Sequence, residues 1–448
     1  MFPKNAVLRG SGEFSIVIKM YVMYSLLLFF TLAFAIPVYF VRLKLMRGEG
    51  LHLKERLGLK LPSLPKGAPT LWIHAVSVGE VLSLQNLITK IKQAHPDWMI
   101  YFSSLTNSGV RMAREKLDQV DGIVYAPFDI KWIATKFFRS FQPQVFVLAE
   151  SEFWPNLLRV AATQTQGVLL INGRISSRSL RRYTKVKSLA SRILRHVNLF
   201  LVQTDRDKES LQKIGVESTR IEVTGNLKTE INLPPLSEDE VSKLRRTLRI
   251  KETQRVIVAG STRKGEEEKL LKAFARAKKR KKNILLVLAP RHIERAEEIE
   301  KICQEIRLKV ERRTTFSDTA EWDVFVLDTL GELTKFYALA DIAFVGGSLI
   351  PWGGHNLLEP AFYKKPVFFG PHMDNFSFLA QKFLDKGAAR VIHPGDELEN
   401  MFLLQNQEWL DDMGQKAKST LDSLQGATDR TLEVIETLMQ KPEWRTRG

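Results

Sequence analysis

The stretch PQVFVLAES, residues 143–151, runs through consecutive apolar positions from Val145 to Ala149 and then turns acidic at Glu150, with Glu152 to follow. A strand covered on one face alternates apolar and polar residues, whereas one covered on both faces is apolar throughout; this one is of the second kind. The same pattern recurs in TLWIHAVS (70–77), MIYFSSLT (99–106), GIVYAPF (122–128), GVLLING (167–173) and LFLVQT (199–204), with amphipathic segments between. Buried strands alternating with helices predict a parallel sheet wound on both sides. NLPPLSEDE (232–240) then interrupts with paired prolines and acids, as a linker or exposed helix start does. The pattern restarts in QRVIVAGST (254–262), NILLVLAPRH (283–292), DVFVLDTLG (323–331), DIAFVGGSL (341–349) and PVFFGP (366–371).

The fold expected is therefore α/β, with two Rossmann-like doubly wound parallel-sheet domains. Open parallel sheets bind ligands at the carboxyl ends of their strands, so two facing crevices make an interdomain cleft. The boundaries expected are an N-terminal extension and membrane anchor at 1–45, one domain at 46–233, a second at 234–420, and a helix at 421–448 bracing both.

At 448 residues the chain is long enough for two cores, and 44% hydrophobic with 26% charged residues is a globular balance that excludes disordered and collagen-like classes. Lys and Arg number 67 against 50 Asp and Glu, and the net charge of +17 favours acidic partners, whether phospholipid headgroups, phosphorylated lipids, nucleotides or nucleic acid. The single cysteine, Cys303, excludes an intramolecular disulfide and a thiolate zinc cluster. From 20 to 41 the chain carries no charge, enough to span a bilayer as a helix. A cleaved signal peptide is the alternative, given Lys4, Arg9 and Lys19 ahead of the run and Ala33-Phe34-Ala35 within it. The run continues past Ala35 into the basic Arg42, Lys44 and Arg47, the flank expected on the cytoplasmic side of an anchor. Pro37 leaves a shallow, monotopic insertion open.

The polar strings worth notice follow the strands directly. HAVSVGE puts Glu80 at a strand-to-helix turn, where a carboxylate either takes a proton from an attacking hydroxyl or simply complements the helix dipole; position alone leaves both open. Of Glu150 and Glu152, one is expected to be functional and the other a cap. The segment 172–195 holds eight basic residues and no acid, either a solvated face or a helix resting on anionic lipid. Lys228 ends TGNLK, just after the strand RIEVTG (220–225) that closes the first domain, and by itself a lysine there is most simply solvent-exposed. Gly260-Ser261-Thr262 is a small-residue turn suited to a phosphate or carboxylate, though without Walker A or GxGxxG spacing. Arg291 leaves its strand where a guanidinium suits phosphate. In GGSLIPWGGHNLLEP (346–360) the glycines admit close backbone approach, and Asn356 and Glu359 suit a nucleotide-like ligand. Asp205-Arg206-Asp207 resembles a metal-binding pair but reads better as a capped helix start. No HExxH spacing occurs and no metal site or cofactor is expected.

Taken in order, SVGE, ESEFWPN, NGRISSRS, TGNLK, APRH, LDTLGEL and GGSLIPWGGHNLLEP resemble the motifs of bacterial 3-deoxy-D-manno-octulosonic acid (Kdo) transferases, lipid A-specific enzymes of GT-B fold. The resemblance runs from the anchor to about residue 370. It implies that Glu80 is the proton acceptor, and that Glu150 and Lys228 stabilise the transition state. It implies further that Pro290, Arg291, Leu330, Gly331, Glu332, Asn356, Leu357, Leu358 and Glu359 contact the CMP of the donor. The implied reaction is inverting transfer of Kdo from CMP-Kdo to lipid A precursor (lipid IVA), in lipopolysaccharide core biosynthesis at the cytoplasmic side of the cell inner membrane. Inner-membrane anionic lipids are then expected partners, and nucleic acid is not. The alternatives are another GT-B transferase or epimerase, or a non-catalytic basic membrane-binding protein. One departure is that residues 1–19 precede the anchor, where the family begins almost directly with it.

Overall fold

The structure, a computed structural model, describes residues 50–440 apart from 51, 63–66, 232 and 318–320, together with 21, 23–26, 28, 30 and 31. Most of the expected anchor at 20–41 lies outside the described residues. No helix among the described residues is long and apolar enough to cross a membrane.

The chain divides into two compact units, Met1–Glu230 with Gly426–Gly448, and Ile231–Gln425. In the first, the strands are β1 (Thr70–Ala75), β2 (Met99–Ser104), β3 (Gly122–Tyr125), β4 (Val145–Ala149), β5 (Gly167–Gly173), β6 (Leu199–Val202) and β7 (Ile221–Val223). They form one parallel seven-stranded sheet in the order β3-β2-β1-β4-β5-β6-β7. The order reverses between β1 and β4, which is where a doubly wound sheet opens its crevice. Every residue of β1, β4 and β5 is buried, as their unbroken apolar runs require. Successive side chains serve opposite faces: Trp72 packs with Phe137, Phe138 and Phe146 on one side, Leu71 and Ile73 with Leu84 and Ile88 on the other. The helix Ala427–Met439 returns to this unit, burying Ala427, Ile435 and Leu438 beside the helix Val78–Ala94.

Within the second unit the strands are β8 (Arg255–Thr262), β9 (Ile284–Pro290), β10 (Val310–Arg312), β11 (Val324–Val326), β12 (Ile342–Val345), β13 (Val367–Phe369) and β14 (Ala389–Val391). Their order is β10-β11-β9-β8-β12-β13-β14, again all parallel. Here the order reverses between β8 and β12. Among the described residues seven strands lie in each sheet; β7 is the RIEVTG strand ahead of Lys228, and β10 and β14 are additions to the strands read from the sequence. Both are three-residue edge strands with only one covering neighbour, and they lack the apolar run that marks a central strand.

Candidate active site

In the first unit, Ser77 caps the helix Val78–Ala94, its hydroxyl accepting from the Glu80 amide. The Glu80 carboxylate turns back in return, accepting from the Val76 amide and from the Ser77 hydroxyl, each at 2.8 Å. Only 6% of Glu80 is exposed. Burial pushes its pKa up, the two hydrogen bonds oppose that, and the charge of Glu150 adds to the rise while that of Lys228 counters it. Glu80 is thus both a first-turn acid and a buried carboxylate among charged neighbours.

β4 delivers the second acid from across the crevice. Glu150 sits just past the strand with φ 59, a left-handed backbone that a non-glycine residue adopts only at a cost. Its amide donates to the Ile171 carbonyl at 3.0 Å, and its carboxylate accepts from Lys228 Nζ at 2.5 Å. Lys228 comes from the segment after β7, and Asn172 helps hold that segment. The Asn172 carbonyl oxygen Oδ1 accepts from the Leu227 amide at 3.1 Å, and the residue is itself left-handed at φ 52 and buried. Glu152 belongs to the same group: burial and then the charge of Glu80 raise its pKa, while Trp154 donates to it at 3.1 Å. The structure therefore brings Glu80, Glu150 and Lys228 together, with Glu152 beside them. Lys228 is ion-paired rather than simply solvated. Asn172 was not distinguished from the basic segment in the sequence; its one local signal was an Asn-Gly pair closing a strand.

The Asp205-Arg206-Asp207 string is a helix start. Thr204 caps the helix Asp205–Ile214, and the Asp207 carboxylate accepts from the Ile175 amide at 2.8 Å. Of the basic segment, the helix Ser177–Lys185 has no buried residue, with Leu180 and Tyr183 half-covering the core below.

In the second unit the residues of interest leave the carboxyl ends of β11, β9, β8 and β12, neighbours in that order. Arg291 follows β9, and its amide donates to the Thr262 carbonyl at 2.9 Å. Glu359 is held mostly away from water, which raises its pKa, against a hydrogen bond from Asn356 and the charge of Arg291. Asn356 Oδ1 also accepts from the Leu358 amide. Leu357 and Leu358 are completely buried, so their side chains belong to the core and only backbone is left to meet a ligand. Gly331 has φ 82, a turn that favours glycine, and Leu330 beside it is 78% exposed. Glu332 is committed within the protein: Arg313 donates to both its oxygens, at 3.0 and 3.1 Å, and Thr329 to one. Arg313 accordingly holds its pKa below the usual carboxylate range.

Two further residues organise this end of the sheet. Glu266, completely buried, accepts backbone N–H groups from Arg263, Gly347, Ser348 and Leu349, which ties the β8 turn to the loop after β12. Arg263 donates through Nε to His355 Nε2 at 3.2 Å and stands 3.1 Å from His292 Nε2, with its guanidinium 4.9 Å from the centre of the Trp352 ring. Neither stood out in the sequence, because an acid in a charged helix start and an arginine after a strand are ordinary until the loop that meets them is placed.

A family profile described as 3-deoxy-D-manno-octulosonic-acid transferase (kdotransferase) matches residues 51–231. Among curated proteins, the 3-deoxy-D-manno-octulosonic acid transferase of Haemophilus influenzae is 30% identical over 87% of this chain and 92% of its own length. That of Chlamydia pneumoniae is 31% identical over 86% and 89% respectively. A bifunctional glycosyltransferase/methyltransferase of Fusobacterium nucleatum is 36% identical over 74% of this chain, which spans about half (52%) of that relative's length. Among solved structures, a UDP-GlcNAc 2-epimerase from Neisseria meningitidis superposes with a TM-score of 0.51 at 11% identity, over 83% of this chain and 99% of its own. At that identity the likeness concerns the fold, two Rossmann-like units in one chain, as the GT-B expectation has it.

Proposed function

The chain belongs to the 3-deoxy-D-manno-octulosonic acid transferase family and is a glycosyltransferase, and from that premise we propose that it transfers Kdo from CMP-Kdo to a hydroxyl of lipid A precursor with inversion. The observation that carries the chemistry is the grouping of Glu80, Glu150 and Lys228 at the β1/β4 crevice. The acceptor oxygen attacks the anomeric carbon, its proton passes to the Glu80 carboxylate, and the bond from that carbon to the phosphate oxygen breaks, releasing CMP. A base works best when its pKa approaches the working pH, and burial moves Glu80 in that direction. Lys228, held by Glu150, offers positive charge where negative charge moves. Arg291 takes the nucleotide phosphate, Glu359 and Asn356 the ribose and base side, and Leu330 and Gly331 an exposed face for the nucleotide.

The uncharged run 20–41 and the basic surface fit an acceptor that is itself a phosphorylated lipid. They anchor the enzyme at the inner membrane with its catalytic units on the cytoplasmic side. Two of the described residues of that run touch the rest of the first unit: Tyr21 hydrogen-bonds His196 at 3.1 Å, and Ser25 accepts from Asn156, four residues past Glu152, at 3.1 Å. Ser25 of the run thus lies beside the first turn of the helix Pro155–Gln164, which follows the β4 acids.

The test is to incubate the purified enzyme with CMP-Kdo and tetraacylated, bis-phosphorylated lipid acceptor, reading CMP release and the mass of the lipid. CMP released only with acceptor present, and a lipid heavier by whole Kdo units, is the expected result; donor turnover without a Kdo-bearing lipid would refute it.

A further inference from the structure

We infer that Arg263, with His355 and His292 about it, is a second anion subsite in the C-terminal unit, and that it takes the carboxylate of the donor's acid sugar while Arg291 takes the phosphate. This rests on the donor assignment above. β8 and β9 are hydrogen-bonded neighbours in register at Thr262 and Pro290, so Arg263 and Arg291 leave adjacent strand ends, about 4.8 Å apart in a sheet. The pairing shifts between Gly260 and Thr262, where Ser261 is left-handed at φ 56, a bulge that re-aims the chain as it leaves the strand. Both arginines lie beside the β8/β12 reversal, the place where such a sheet receives its ligand.

The surroundings of Arg263 are those of a cation kept for an outside partner. Its guanidinium meets two imidazole nitrogens and an indole face, and among the described residues it makes no ion pair with a carboxylate. The nearest acid by sequence, Glu266, is spent on four backbone amides, one of them Arg263's own. Glu294 lies on the far nitrogen of His292, at 3.3 Å from Nδ1. His355 is held neutral, its pKa lowered to about 4 by burial and by the positive charge of Arg263 and Arg291, so its nitrogen accepts from Arg263 and orients the fork. Trp352 supplies a flat wall behind it. By contrast, most of the other buried or half-buried arginines of this unit, such as Arg295 with Glu267 and Arg312 with Asp328, are neutralised within the protein.

The donor's chemistry matches two adjacent cations. In a CMP-linked ulosonic acid the phosphate oxygen and the carboxylate are bonded to the same anomeric carbon, so the two anions are close neighbours on one ligand. CMP alone carries only the phosphate. Arg263 then distinguishes donor from leaving group, and donors whose sugar lacks the carboxylate are disfavoured.

The experiment compares the wild-type enzyme with Arg263→Gln, Arg263→Lys and Arg291→Gln, each checked by a melting curve. CMP affinity is measured by calorimetry and the KM for CMP-Kdo by initial rates with lipid acceptor. Arg263→Gln should raise the KM for CMP-Kdo by about tenfold or more while CMP affinity stays within about twofold, and Arg263→Lys should fall between it and wild type. Arg291→Gln should weaken both. Equal weakening of CMP and CMP-Kdo by Arg263→Gln would assign it to the phosphate and overturn the inference, as would no change in either. Wild-type turnover of CMP-Kdo in the same assay tests the donor assignment separately.

Discussion

Lys228 Nζ stands 2.5 Å from Glu150 Oε1, an ion pair between residues 78 apart that links the end of β4 to the segment after β7. Both partners are partly exposed, at 41% for Lys228 and 22% for Glu150, so the pair adds little stability. Its place beside Glu80 is what the fold maintains, and it does so with Glu150 in a left-handed backbone.

That strain gives the first prediction. A glycine tolerates φ 59 and an alanine does not, so Glu150→Gly should be more stable than Glu150→Ala by about 1 kcal/mol. Chemical denaturation of the two variants measures the difference. Both should lose Kdo transfer, because both remove the carboxylate that holds Lys228; a variant with full turnover would remove Glu150 from the site.

Ser77 gives the second. Its hydroxyl donates to the Glu80 carboxylate and so favours the ionised form. The base must be ionised, so activity falls as pH drops through the Glu80 pKa, which burial sets above the ordinary 4.5. Removing the donor in Ser77→Ala raises that pKa further, and the acid limb of kcat/KM should move to higher pH. A limb that stays in place or moves down would show that another group controls it.

Third, Glu266 gathers the β8 and β12 loops, and removing a buried carboxylate that accepts four N–H groups leaves them unpaired. Glu266→Ala should cost about 3 kcal/mol of stability and weaken CMP binding, with Glu266→Gln recovering part of each. Denaturation and calorimetry together check this; a destabilised Ala variant that binds CMP with unaltered affinity would separate the loop from the nucleotide.

A fourth prediction concerns the nucleotide itself. Arg291→Ala and Glu359→Ala should each weaken CMP binding by about 1.5–3 kcal/mol, the value of a lost charged hydrogen bond. Unchanged calorimetric affinity in both would move the nucleotide elsewhere.

The central strands were legible because burial on both faces leaves an unbroken apolar run, and the acids at their ends stood out against it, Glu150 after Val145–Ala149 most plainly. The edge strands Val310–Arg312 and Ala389–Val391 were not, since an edge needs no such run. Site residues that act on the sheet end directly, Glu80 and Arg291, were visible as polar groups next to apolar strands. Those whose role depends on a distant loop were not. Asn172 matters through Leu227, 55 residues on, and Glu266 through Gly347, 81 residues on. Local pattern carries no information about such pairs. Nor does it show that Glu332 is taken by Arg313, or that Leu357 and Leu358 point into the core.

The claim that Glu80 is the general base is tested most directly by Glu80→Gln. The amide keeps the size of the side chain and can still meet the Val76 amide and Ser77 hydroxyl, but it cannot take the acceptor's proton. Kdo transfer is measured at saturating CMP-Kdo and lipid acceptor, alongside CMP affinity and a melting curve. The account predicts a folded variant that binds CMP normally and turns over about a hundredfold to ten-thousandfold more slowly. A folded, CMP-binding variant that retains more than about a tenth of wild-type turnover would contradict it, since the loss of a base costs far more than that.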